Sequence, residues 1–171
     1  MPNTKLAMLN LYLMRHGLAG DRQDNADDSQ RPLTAEGISK TRKVFQKLHK
    51  LGLTFDLVQT SPFLRARQTA QLLAEVYEQG FPVEVTPLLA PEGEMTAWLE
   101  WLERLNQPNF SLGLVGHEPD LSAWAEILIW GEARGVLILK KAGVIGLTLP
   151  SEPPYVRNGL LFLLVPPKIL L

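Results

Sequence analysis

Short apolar runs alternate along this chain with longer segments whose apolar positions recur every three or four residues, the pattern of strands interleaved with helices in a layered α/β domain. Strands are predicted at Leu9 to Met14, Leu57 to Thr60, Val83 to Thr86, Leu112 to Val115, Val144 to Leu149 and Leu160 to Val165. Continuous runs such as LYLM and LGLV suit strands covered on both faces, as in a mainly parallel sheet. Thr34 is placed to cap a first helix that ends near Gly52. A second helix is predicted to open at Pro62 and stop at Gly80, a third to run from Met95 to Leu105, and a fourth to open at Pro119 and reach Trp130. The stretch GDRQDNADDSQRP, from Gly20 to Pro32, has no apolar period and is predicted to be a mobile surface loop. The segment Gly131 to Gly143 is mixed and carries no assignment. For the apolar tail KILL three outcomes are open: packing on the domain, pairing with another chain, or fraying.

Length and composition bound this picture. At 171 residues the chain fits a single domain spanning 1–171. With 46% hydrophobic and 20% charged residues it has the balance of an ordinary globular protein. A formal charge of -1 supplies no overall positive field to gather nucleic acid or an anionic membrane, so any anion site has to be local. The absence of cysteine excludes disulfides, thiolate nucleophiles and thiolate metal sites, and fits a reducing compartment. The apolar stretch Leu6 to Met14 follows one cation, Lys5, is interrupted by Asn10 and leads to no small-residue cleavage site. The run Leu160 to Val165 stops at Pro166, far short of the roughly 18 residues of a spanning helix. A cytoplasmic location is expected.

Three predicted strands end in residues suited to an anion. In open α/β sheets ligands bind beyond the carboxyl ends of strands, where helix N-termini point unpaired amides. Arg15 and His16 follow the first strand, Gly116 and His117 follow the fourth, and Thr60 leads through Pro62 to Arg65 and Arg67. Such a set can hold a phosphoryl group, because guanidinium forks match phosphate oxygens and stay charged at any working pH. A neutral histidine between them can attack phosphorus, and a second histidine, if protonated, can donate to an equatorial oxygen. No Walker-type glycine loop is present, which speaks against a nucleotide-driven motor or kinase.

The segments LMRHG, SPFLRARQT and GHEP resemble, in order, the three signature segments of the histidine phosphatase superfamily, the phosphoglycerate-mutase-like fold. The resemblance covers residues 9 to 165, and RPLTAEG at 31–37, with the short overall length, is similar to the SixA-type phosphohistidine phosphatase branch. It implies a three-layer α/β/α sandwich with a mixed, mainly parallel central sheet. It implies that His16 is a transiently phosphorylated nucleophile, that Arg15 and Arg65 bind phosphate, that His117 completes the pocket, and that no metal or other cofactor is needed. Many members carry a glutamate general acid after the third strand. Here PLLAPEGEM offers Glu92 and Glu94, and Glu92 is the candidate proton donor. Cleavage of a P–N bond expels imidazole, a better leaving group than an alkoxide, so the need for that donor is weaker.

The implied activity is hydrolysis through a covalent phosphohistidine intermediate. Short intervals between the motifs leave little room for covering insertions, so the expected partner is a phosphohistidine-bearing protein such as a phosphotransfer domain, with no nucleic acid and no membrane. A phosphatase or mutase of a small phosphorylated metabolite is an alternative. So is a non-catalytic phosphate-recognition module, although such a module could lose His16 without penalty.

Other prominent residues have plainer readings. Arg67, two positions beyond Arg65 on a helix, points away toward solvent or an ion pair. His49 lies among Lys47 and Lys50, where a cation complements a helix C-terminus. Trp98, Trp101, Trp124 and Trp130 read as helix faces packed on the sheet. Asp24, Asp27 and Asp28 lack the glycine and terminal glutamate of an EF-hand and read as a solvated loop, in which Arg22 is placed to act as a lid over the phosphate.

Overall fold

The computed structural model describes residues 8–171, so Lys5 and the start of the Leu6 to Met14 stretch lie outside the described residues. The strands β1 (Met8–Arg15), β2 (Leu57–Thr60), β3 (Val83–Val85), β4 (Ser111–Gly116), β5 (Val144–Pro150) and β6 (Leu160–Val165) form one sheet in the order β3-β2-β4-β1-β5-β6. Strands β3, β2, β4 and β1 are parallel, while β5 and β6 join antiparallel. The predicted mixed, mainly parallel sheet is therefore present.

Side-chain alternation along β1 explains why LYLM is continuously apolar. Leu9, Leu11 and Leu13 pack with Trp98 and Leu102 of α3 (Met95–Leu105) and with Leu121, Trp124 and Leu128 of α4 (Asp120–Trp130). Tyr12 and Met14 face the other side, against Val44, Phe45 and Leu48 of α1 (Ala35–Lys50) and Ala66, Ala70 and Leu73 of α2 (Leu64–Val76). Both faces are covered by helices, which gives the three layers. Trp98 is fully buried and its indole N–H donates to Gln59 Oε1 at 3.0 Å, so a buried polar side chain of β2 is satisfied. All four tryptophans lie in α3 or α4, Trp98 and Trp124 deep in the core.

Several boundaries differ from the sequence reading. Thr34 caps α1 as expected, accepting from the Gly37 N–H at 2.9 Å. α2, however, begins at Leu64 rather than Pro62, because the Phe63 N–H is held by Ser61 Oγ at 3.2 Å and Phe63 stays extended. It ends at Val76 rather than running to Gly80, since Glu78 and Gln79 take positive φ. Strand β3 stops at Val85, and α4 begins one residue after Pro119.

Two segments left without regular structure by the sequence are organised. The stretch 20–32 is closed at its base by an Ala19–Leu33 bridge and by Gly20 N–H donating to Pro32 O at 2.9 Å. It contains two 3₁₀ turns capped by the Asp21 and Asp27 carboxylates. The stretch 134–137 wraps around Glu126, which is 1% exposed: its carboxylate accepts backbone N–H groups from Arg134, from Gly135 at 2.7 Å, from Val136 at 2.6 Å and from Leu137 at 2.7 Å. Burial alone would raise the Glu126 carboxyl, yet these four donors hold it below its ordinary value. The tail forms a short α5 (Pro167–Leu170) that packs on α1, with Leu170 against the Val44 and Phe45 cluster. Among the described residues no helix is long and apolar enough to cross a membrane.

Candidate active site

The sheet register brings the three motifs together. Arg15 pairs with Gly116 across β1 and β4, and Thr60 pairs with Val115 across β2 and β4. One residue further on, His16 N–H donates to Gly116 O at 3.1 Å and Ser61 N–H to Val115 O at 3.0 Å. The carboxyl ends of three neighbouring parallel strands thus sit side by side, where the strand order reverses around β1. Arg65 enters from the first turn of α2.

Close backbone packing fixes the turn after β1. A Cβ on Gly37 would meet Leu18 O at 2.1 Å, so the first turn of α1 presses directly on that turn. A Cβ on Gly17 would meet Thr41 Oγ1 at 2.3 Å. Gly17 N–H donates to Thr69 Oγ1 at 3.0 Å, and the Thr69 hydroxyl donates to Arg65 O at 2.7 Å. One buried hydroxyl therefore ties the His16 turn to the helix that carries Arg65.

His16, Arg65 and His117 are 5%, 3% and 4% exposed, which places three ionisable groups largely out of contact with bulk solvent. The hydrogen bonds determine the state of His16. Its Nδ1 lies 2.7 Å from Gly17 O, which can only accept, so Nδ1 carries the proton. Arg65 Nε, which can only donate, lies 3.2 Å from His16 Nε2, so Nε2 holds a lone pair. Burial is the main cause that lowers His16 from 6.5 to about 3, opposed by the Gly17 bond and assisted by His117, Arg65 and Arg15. His16 is neutral near pH 7, with its free lone pair turned toward the arginine.

The His117 ring lies 5.3 Å from that of His16, and its Nε2 lies 2.7 Å from Ser61 Oγ. Burial first, then Arg65, lowers it to about 4. It is neutral near pH 7, with Nε2 and the Ser61 hydroxyl sharing one proton between them, and its Nδ1 is a buried nitrogen without a partner among the described residues. Phe63 packs edge-on against this ring and lies under the Arg65 guanidinium, 5.0 Å from its centroid.

Arg15 is half-buried and its Nη1 donates to Leu139 O at 3.1 Å, while its Nε has no partner among the described residues. Burial lowers Arg15, and the Glu118 carboxylate opposes that. Glu118 itself accepts from the Ser122 N–H at 2.9 Å and the Ser122 hydroxyl at 2.6 Å, securing the start of α4.

Arg65 is not free in this state. Its Nη1 donates to Asp28 O at 2.8 Å and its Nη2 to Asp28 Oδ2 at 3.2 Å. Asp28 also receives Arg31 Nε at 2.9 Å and pairs with Arg22 at 3.4 Å. The backbone carbonyl and the carboxylate of Asp28, in the 20–32 segment, therefore occupy the two guanidinium nitrogens that a phosphoryl group would seek. The sequence treats Asp28 as solvated and names neither Ser61 nor Thr69. SPF and RQT contain the latter two, but nothing in the spacing shows that they contact residues near positions 17 and 117.

Arg67 is exposed, as expected, and His49 stacks on Tyr77 at 4.4 Å near the end of α1. Glu92 is exposed with a positive φ of 63°, and its N–H is held by Asp120 Oδ2 at 2.8 Å. Its carboxylate forms no hydrogen bond or ion pair with His16, Arg15, Arg65 or His117 among the described residues. Glu94 is also exposed.

Comparison with known proteins agrees with this arrangement. A family model described as histidine phosphatase superfamily (branch 1) matches residues 11–107. An uncharacterised protein of Picosynechococcus sp. is 48% identical over 95% of this chain and 99% of its own length. The phosphohistidine phosphatase SixA of Escherichia coli is 33% identical over 65% of this chain and 68% of its own. Among solved structures, that of the protein histidine phosphatase SixA complexed with tungstate aligns with a TM-score of 0.79 and 28% identity, covering 94% of this chain and 99% of that one.

Proposed function

Since the chain belongs to the histidine phosphatase superfamily, we propose that it hydrolyses phosphohistidine on a partner protein, such as a phosphotransfer domain, through a covalent intermediate on His16. The observation that carries this reading is the fixed tautomer of His16: a proton on Nδ1 held by Gly17 O, and a lone pair on Nε2 beside Arg65.

In the proposed route the phosphoryl group takes Arg65 away from Asp28 and from Nε2, with Arg15 as a second cation. His16 Nε2 forms a bond to phosphorus as the P–N bond to the substrate imidazole breaks. The expelled nitrogen takes up a proton from water, so no step is assigned to Glu92. Positive charge that develops on the His16 ring is stabilised by its Nδ1–H bond to Gly17 O, and His117 donates to an equatorial oxygen. Water then attacks phosphorus, His16 leaves with its lone pair restored, and the proton lost by water passes to phosphate or solvent.

Phosphate release should be followed from a phosphohistidine-bearing protein and from a small phosphoester, each with native protein and with His16→Ala. Release from the protein substrate, lost by at least about a thousandfold in His16→Ala, is expected for a nucleophile. Retained turnover in the variant rules out the assigned nucleophile. Release from the ester alone transfers the protein to the metabolite branch, and phosphate binding without release identifies a recognition module.

A further inference from the structure

Beside the active site, on the far side of Arg15, a groove of about 570 Å³ runs between α1, the 140–142 turn and the C-terminal tail. Its charged side chains are Arg15, Lys40, Lys140, Lys141 and Lys168; no Asp or Glu side chain lines it, and the one acidic group at its edge is the α-carboxyl of Leu171. Lys40 pairs with Glu36 on α1, whereas Lys140, Lys141 and Lys168 have no ion-pair partner among the described residues. Burial first, then the neighbouring cations Arg15 and Arg31, lowers Lys141. In a chain of net charge -1 this is a local concentration of one sign.

The floor is apolar, with Leu18, Ala142, Pro167 and Leu171 among its residues. A rigid phosphate site would be expected to use planar arginine forks or backbone amides, whereas exposed lysines are mobile point charges that tolerate varied carboxylate spacing. Lysines over an apolar floor match a peptide that carries acidic and apolar side chains together.

We propose that this groove docks an acidic, partly apolar segment of the phosphorylated partner protein and so brings its phosphoryl group to His16. The inference rests on the phosphohistidine-protein reading above. Arg15 lines the groove and also flanks His16, so a segment seated there is covalently continuous with a group delivered one side chain away. Part of the substrate's affinity then resides outside the phosphoryl pocket.

The test compares native protein with Lys140→Glu/Lys168→Glu and with Lys140→Arg/Lys168→Arg, neither of which alters the residues around phosphorus. Fluorescence anisotropy follows a labelled synthetic peptide of glutamates and leucines. Kinetics follow a phosphohistidine-bearing protein and, separately, phosphoramidate. Charge reversal is expected to weaken the peptide, and to raise KM for the protein substrate, by about tenfold or more with kcat kept, while phosphoramidate turnover stays within about twofold and the arginine pair behaves as native. A peptide that fails to bind, or that binds the reversal variant equally, overturns the groove. So does an equal loss on phosphoramidate, or binding to anionic phosphatidylserine vesicles in place of the peptide. If no phosphohistidine protein is hydrolysed at all, the functional reading falls, and the peptide measurement still decides the groove by itself.

Discussion

Neutrality of His16 at working pH follows from where two protons sit. Gly17 O fixes one on Nδ1, and burial among Arg15, Arg65 and His117 excludes a second from Nε2. A nuclear magnetic resonance titration of the imidazole protons should therefore show no protonation of His16 or His117 from pH 7 down to about 5, with both titrating as a coupled pair below that. A midpoint near 6.5 for His16 would contradict the desolvation described. Asp28 makes a separate prediction. Its carboxylate competes with phosphate for the same guanidinium, so Asp28→Asn should tighten competitive inhibition by inorganic phosphate by about tenfold, the order of one charge-assisted hydrogen bond. Unchanged or weaker inhibition would mean that Asp28 orients Arg65 rather than competes for it. The four residues around the pocket were legible in sequence because each lies within a few positions of a strand end. Asp28 was not, because its contact with Arg65 spans 37 positions and an acidic loop gives no periodic signal.

At the level of elements, the sequence showed strands and helices wherever an apolar period was uninterrupted, and α3 falls at Met95–Leu105 as read. It failed where side chains organise the backbone instead. Pro62 looks like a helix start, yet Ser61 Oγ holds the Phe63 N–H and delays the helix by two residues. The 131–143 segment has no period because it is folded around one carboxylate, whose donors sit eight to eleven residues beyond Glu126. Two residues beyond the last of these donors, Leu139 O receives Arg15 Nη1. Glu126→Gln should thus cost about 2–3 kcal/mol, since an amide oxygen and NH₂ cannot accept four N–H groups. Urea unfolding gives the stability, and a weaker phosphate affinity would report the loosened Arg15. Native stability in this variant would show that solvent can replace the carboxylate.

For the whole molecule, the site carries a pH-dependent energetic consequence. His16 and His117 are depressed in the folded state, to about 3 and about 4, from an ordinary 6.5. Below 6.5 the unfolded chain binds more protons than the native one, so the native state keeps its full stability above that pH and loses it progressively as pH falls toward 4. At pH 5 each histidine accounts for about 2 kcal/mol of that loss. Urea unfolding at pH 7 and pH 5 should show the decline, and His117→Asn should reduce it. Equal stability at both values would mean that neither histidine is depressed as described.

The 5.3 Å between the two histidine rings is close to the ~4.8 Å that separates any two neighbouring strands. The backbone ladder, rather than a dedicated pair of side chains, is the ruler that spaces the proposed nucleophile from the proposed oxyanion donor. Length changes among the exposed residues 107–109 leave that ruler unmarked, whereas a one-residue slip of β1 against β4 moves His16 by ~3.3 Å. The chain can therefore vary in the length of such exposed turns, and very little in its register.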